Sequence, residues 1–133
     1  ALFDAGVFLE GTLLKPNMVI SGTDAPVRAN AEEVADRTVA CLKRHVPSAV
    51  PGIVFLSGGQ TEREATEHLH LMNQRHDCPW PLSFSYGRAL QKEALQVWQG
   101  KPENEGAAQE AFIHRAKMNR LAALGQWSSG YEH

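Results

Sequence analysis

Three sites in this 133-residue chain have the residue types and positions to do chemistry: Lys15, set between Leu14 and Pro16, and two glycine turns, Ser57-Gly58-Gly59 and Gly87-Arg88. A lysine amine attacks a carbonyl only when neutral, and at its ordinary pKa of ~10.4 about one in a few thousand is neutral at pH 7. A nearby cation and partial desolvation would lower that pKa and make Lys15 a nucleophile, with Arg88 the available cation. The competing reading is an ordinary surface lysine that snorkels from a strand end. Each glycine turn stands where a strand gives way to a helix, where free backbone N–H groups and the helix dipole favour an anion. Glycine lets a phosphate come close to the backbone, while Ser57 adds a hydroxyl and Arg88 a fork of charged donors. The plainer alternative is that these glycines only satisfy tight turns and Arg88 is solvated.

The elements that would position these residues are legible as a repeated unit. Val7 to Leu14 reads as a first strand, interrupted by Glu10 and Gly11. Asn30, three residues before Glu33, opens a helix that carries Ala35, Val39, Leu42 and Val46 on one face and stops before Pro47. Gly52 to Ser57 is a continuous apolar run, expected to be a parallel strand covered on both faces. Thr61 and Glu64 form a capping box for a helix to about Arg75, with Ala65, Leu69 and Met72 inward. Leu82 to Tyr86 is a third strand, followed by a helix with Leu90, Ala94 and Val97 toward the core. Gly106 to Leu124 reads as a last helix with Phe112, Ile113, Ala116 and Ala123 buried and Gly125 as its C-cap, and Gln126 to His133 as a loose tail. Strand-then-helix repetition indicates an α/β fold with a parallel sheet, either an open doubly wound sheet or a piece of a (β/α)8 barrel.

Composition narrows the possible partners. Thirteen Lys+Arg against 15 Asp+Glu give a net charge of -2, which offers no long-range attraction to nucleic acid or an anionic membrane. The longest stretch without a charged residue, His45 to Thr61, is broken by prolines and glycines and falls short of the ~20 apolar residues of a span. Two cysteines, Cys41 and Cys78, and the lack of a basic-then-apolar leader point to a reducing cytoplasm and idle thiols. His68 and His70 diverge by ~200° on a helix and so read as surface or core-edge residues rather than metal ligands. Glu10 is expected to have a structural hydrogen-bonding role, and Trp80, Trp98 and Trp127 are expected to be packing residues. Gly58-Gly59 lacks the further glycine of a dinucleotide fingerprint, and no Walker-type lysine follows. The chain opens on Ala1 rather than Met, from which sequence upstream is expected.

The wording of three segments goes further than their periodicity. LEGTLLKPN at Leu9 to Asn17 resembles the active-site signature of class I fructose-bisphosphate aldolases, and FLSGGQ at Phe55 to Gln60 and LSFSYGRALQ at Leu82 to Gln91 resemble the same family in order and spacing. The resemblance covers nearly the whole chain. It implies a partial (β/α)8 TIM barrel: approximately the last three β/α units plus the C-terminal helices. Residues 1–125 would be the C-terminal part of a single barrel and 126–133 a short tail. It implies that Lys15 forms a Schiff base with the ketose and that Ser57, Gly58, Gly59, Ser85, Gly87 and Arg88 bind substrate phosphate. No metal and no cofactor are implied. The implied reaction is the reversible cleavage of fructose 1,6-bisphosphate to dihydroxyacetone phosphate and glyceraldehyde 3-phosphate in glycolysis, by a cytoplasmic enzyme that is a homotetramer when full length. The acid/base glutamate, the catalytic aspartate and further lysines of the family lie on earlier strands, and Tyr131 is not matched to the family's terminal tyrosine. Two alternatives stand beside this reading: a barrel aldolase for another sugar phosphate, and a non-catalytic phosphate-binding or assembly fragment. Three strands cannot close a barrel, so the isolated chain is expected to aggregate, to associate with a complementary half or to be catalytically very weak.

Overall fold

A computed structural model describes residues 1–133. The elements run α1 (Ala31–His45), β1 (Ile53–Phe55), α2 (Glu62–Arg75), β2 (Leu82–Phe84), α3 (Arg88–Trp98) and α4 (Glu105–Ala123), with short 3-10 turns at Leu9–Gly11, Pro102–Asn104 and Ser129–Tyr131. The caps that the sequence announces are formed. Asn30 accepts from the Glu33 N–H at 2.8 Å, and Thr61 and Glu64 exchange both bonds of a capping box. At the end of α4, the Gly125 N–H reaches Ala122 O and the Gln126 N–H reaches Leu121 O at 2.8 Å, with Gly125 at φ 67°. That is a Schellman closure, and it needs the left-handed residue that glycine supplies.

β1 and β2 are parallel, with Ile53 opposite Leu82, Val54 opposite Ser83 and Phe55 opposite Phe84. The helices cover one face. Ile53, Phe55 and Leu82 are buried there with Val34, Val39 and Leu42 of α1, Leu69 and Met72 of α2, and Met118 and Ala122 of α4. Alternation along the strands places Val54 and Ser83 on the opposite face.

The first strand is not where the sequence suggests. Within Val7 to Leu14, residues 9–11 turn as a 3-10 helix, and only Leu14 pairs, in a parallel bridge to Ile53. The pairing stretch is instead residues 14–16: Leu14 N–H donates to Gly52 O, Val54 N–H to Leu14 O and Leu56 N–H to Pro16 O. Pro16 has no N–H to return, so the ladder is half-made at its second rung and no full strand develops.

Four further expectations are corrected. Phe112 and Ile113 are exposed, and α4 buries Arg115, Met118, Asn119 and Ala122 instead, because its inward face meets polar partners on α2. Trp98 is exposed, whereas Trp80 and Trp127 are buried. Glu10 is exposed and makes no side-chain hydrogen bond, since the 3-10 turn carries it away from the sheet.

The C-terminal residues are not loose. Glu132 forms a two-pronged ion pair with Arg115 at 2.8 and 3.0 Å and accepts from Trp127 Nε1 at 2.9 Å. Both charged side chains are withdrawn from water, at 7% exposure for Arg115 and 3% for Glu132. Arg115 also donates to Thr66, whose hydroxyl lies 2.8 Å from Asn119 Oδ1. This polar cluster fastens α2, α4 and the last residues to one another.

Candidate functional site

Lys15 lies between the two half-ladder rungs made by Leu14 and Pro16. Leu14 is in register with Ile53 and packs against the core, so the next residue, Lys15, projects to the opposite, open face shared with Val54 and Ser83. Exposure follows the same alternation: Leu13, Lys15 and Asn17 are exposed, while Leu14 and Pro16 are partly buried. Continuing two residues from Ser83 puts Ser85 on this face as well, and its N–H pairs with Phe55 O at 2.9 Å.

At the carboxyl end of β1 the chain turns through Ser57, Gly58 and Gly59. Gly59 has φ 75°, a conformation that favours glycine, and a Cβ there would sit 2.8 Å from the tip of Ile20, which would have to move aside. The turn is held from behind by its carbonyls: Asn17 Nδ2 donates to Gly58 O at 3.1 Å and Arg28 Nη2 reaches Gly59 O at 3.4 Å. The N–H groups of Ser57, Gly58 and Gly59 donate to no other part of the chain. The same holds at the start of α3 for Gly87, Arg88 and Ala89. Six unspent donors therefore stand at two adjacent strand ends, each followed by a helix whose positive dipole end faces the turn.

Ser57, Gly59, Arg88 and Ala89 line one open cleft of about 600 Å³, together with Arg28 and Lys92. The acidic residues of that cleft are already committed. Glu62 pairs with Lys92 at 3.2 Å. Glu64 accepts from the Thr61 N–H at 2.7 Å, and this bond, opposed by burial and aided by His68 and Arg28, holds its carboxyl below the usual range. Arg28 and Arg88 have no carboxylate partner. The cleft is therefore receptive to an anion.

Behind it, His68 is buried and sits 2.7 Å from Gln60 Oε1, and Gln60 Nε2 reaches Asn17 Oδ1 at 3.4 Å. Burial, opposed by the Glu64 charge, lowers the His68 pKa and favours the neutral ring. The relay His68–Gln60–Asn17–Gly58 ties α2 to the glycine turn and to the segment that carries Lys15.

Of the residues expected to act, Ser57, Gly59 and Arg88 thus share the cleft. Gly58 belongs to the same turn, Gly87 caps α3, and Lys15 and Ser85 stand on the open face rather than in the cleft lining. Asn17, Gln60 and Arg28 were not anticipated. Asn17 and Gln60 are the last letters of the LEGTLLKPN and FLSGGQ segments, where an amide flanking a glycine turn was the available signal; nothing in the sequence marks Arg28.

Parallel strands joined by helical crossovers, with an anion-receptive cleft at the carboxyl ends of the strands, define an α/β protein of the class that binds ligands at that rim. The comparisons with known proteins give the family. The class-I fructose-bisphosphate aldolase model matches residues 1–133, and the chain belongs to that family. It is 56% identical over 128 residues to a probable class 1 fructose-bisphosphate aldolase of Xylella fastidiosa, covering 96% of this chain and 38% of that protein. Against mouse fructose-bisphosphate aldolase C the identity is 55% over 131 residues, covering 96% of this chain and 35% of the relative. A solved fructose-bisphosphate aldolase from Plasmodium falciparum, crystallised with TRAP and a small-molecule inhibitor, superposes with a TM-score of 0.92 at 48% identity, covering 97% of this chain and 38% of that one. The chain thus spans well under half the length of the relatives it matches. No helix is long and apolar enough to cross a membrane.

Proposed function

We propose that the chain is the C-terminal portion of a class I aldolase barrel, and that within the complete barrel it supplies the Schiff-base lysine and the phosphate cradle for reversible cleavage of fructose 1,6-bisphosphate. The observation that carries this reading is the placement of Lys15 on the open sheet face, next to a β1 terminus whose following turn keeps three N–H donors unspent. On this reading the open face is the barrel interior, and the helix-covered face lies between strands and helices.

The Lys15 amine adds to the C2 carbonyl and water leaves, giving an iminium that accepts electrons. The C4 hydroxyl proton departs to a base, the C3–C4 bond breaks, and glyceraldehyde 3-phosphate is released while the bonding pair becomes an enamine. Protonation at C3 and hydrolysis return the free amine and dihydroxyacetone phosphate. Ser57, Gly58 and Gly59 with Ser85, Gly87 and Arg88 hold phosphate through backbone N–H groups, hydroxyls and the guanidinium, which fixes the carbonyl relative to the amine. On this reading the base for the C4 proton comes from the rest of the barrel, so the chain alone should form the imine far better than it completes cleavage.

Borohydride reduction in the presence of fructose 1,6-bisphosphate tests this directly. The expected result is a reduced sugar-phosphate adduct on Lys15, located by peptide mass mapping and abolished in Lys15→Arg. Phosphate binding without an adduct would overturn the Schiff-base role and leave a phosphate-binding fragment.

A further inference from the structure

Twelve residues beyond Pro16, where the half-made ladder ends, the loop leading to α1 brings Arg28 back over the glycine turn. We propose that Arg28 is a second phosphate anchor of the cleft, acting opposite Arg88 and selecting for a phosphate monoester dianion. This rests on the phosphate-binding reading of the cleft and adds to it a residue that no motif marks.

Charge within the cleft leads to this assignment. Of its three cations, Lys92 is occupied by Glu62, and the remaining acid, Glu64, is spent on capping α2. Arg28 and Arg88 are the two cations that form no ion pair, Arg28 acting on Glu64 only at longer range, and they enter the same cleft from separate segments, the loop before α1 and the first turn of α3. A phosphate monoester carries about −1.5 to −2 charge at pH 7, which two guanidinium groups balance and one does not.

Geometry supports the same conclusion. Arg28 spends one of its donors on Gly59 O, at the long distance of 3.4 Å and in an exposed position, a contact worth little in water. Its other N–H groups remain free for a forked contact to phosphate oxygens. The loop that carries it is stitched to the turn at two further points, by Asn17 on Gly58 O and by Ile20 beside Gly59. Arg28 is thereby kept close to the very N–H groups that would receive the anion, so little ordering is needed to engage it.

The test is a titration of the full chain with inorganic phosphate, followed by 31P line shape, for the parent and for Arg28→Ala, Arg28→Lys and Arg88→Ala. Circular dichroism confirms folding, which the exposed Arg28 contact should not govern. The expected result is that Arg28→Ala weakens binding about tenfold or more, the scale of a lost charge-assisted bond, and that Arg28→Lys recovers only part of it because a point charge lacks the fork. Arg28→Ala binding within twofold of the parent, while Arg88→Ala binds poorly, would overturn the assignment and leave the cleft standing. Absence of phosphate binding by the parent itself would instead overturn the reading of the cleft, and this assignment with it.

Discussion

The two faces of the same short sheet are built on opposite principles. On the helix-covered face, Ile53 and Phe55 are fully enclosed, and the polar groups packed nearby are mostly answered: Tyr86 OH donates to Ala65 O at 2.9 Å, Asn73 reaches Leu69 O at 3.0 Å and Arg115 grips Glu132. On the other face, Val54 and Ser83 are only partly buried, and Lys15 and the apolar Leu13 stand in water, Leu13 at 64% exposure. The contrast separates two tasks. Stability resides almost entirely on one side, and the other is free to carry reactive groups and to accept a covering that this chain does not provide.

The severest way to break the contrast is at Phe55. Phe55→Ala removes the largest fully enclosed side chain and is expected to cost about 3–5 kcal/mol, read as a fall in the urea midpoint. An equally large loss from truncating Val54, its neighbour across the sheet, would mean that both faces hold the fold together.

Next is the ion pair at the C-terminus. Glu132→Gln leaves Arg115 enclosed with only the half-exposed Glu93, at 3.9 Å, as a charge partner and should cost about 3 kcal/mol in the same measurement. Arg115→Met should cost less, because Glu132 lies outside any α-helix, just past the Ser129–Tyr131 turn, and can swing into water.

Acidification sharpens the comparison by two routes. Burial, opposed by Glu64 at His68 and by Glu67 at His70, lowers both imidazole pKa values below 6.5. Stability from keeping these rings neutral is fully present above the unfolded value and declines as pH falls below it. The Glu132 carboxyl, which burial would raise, is held low by Arg115 and Trp127, so its contribution persists above about 4.3 and is lost as pH falls through its lowered folded value. Melting temperatures should be flat from pH 8 to 7, then fall in two stages, and His68→Gln should blunt the first.

The smallest expected effect is on the open side. Leu13→Ser should change stability by no more than about 0.5 kcal/mol, yet reduce self-association in sedimentation, because it removes exposed apolar surface without touching the core.

What the residues announced was local. The Asn30 and Thr61 caps and the Gly125 closure depend on neighbours within a few positions and appear as read, whereas the Gly52–Ser57 and Leu82–Tyr86 runs yield the shorter strands β1 and β2, with β1 covered on one face rather than two. Misreadings arose where distant partners decide. Phe112 and Ile113 have the spacing of a buried stripe, but Thr66 on α2 and Glu132 at the terminus draw Arg115 and Asn119 inward instead. The C-terminal residues looked idle because an ion pair between positions 115 and 132 leaves no periodic trace. At the candidate site, the glycine turns were legible from their own chemistry. Arg28 was not, since its nearness to Gly59 depends on a loop path that no pattern encodes.

Pro16 leaves a one-sided seam. Exchange of deuterium should spare the amides of Val54 and Leu56, which are bonded to the incoming segment, while that segment itself donates no N–H to the strand after Leu14. The backbone is therefore held at Pro16 by its carbonyl alone and leaves the sheet just beyond it. Asn17 and the loop that follows it can then be recruited to the glycine corner, so one imino acid marks the point where scaffold ends and site begins.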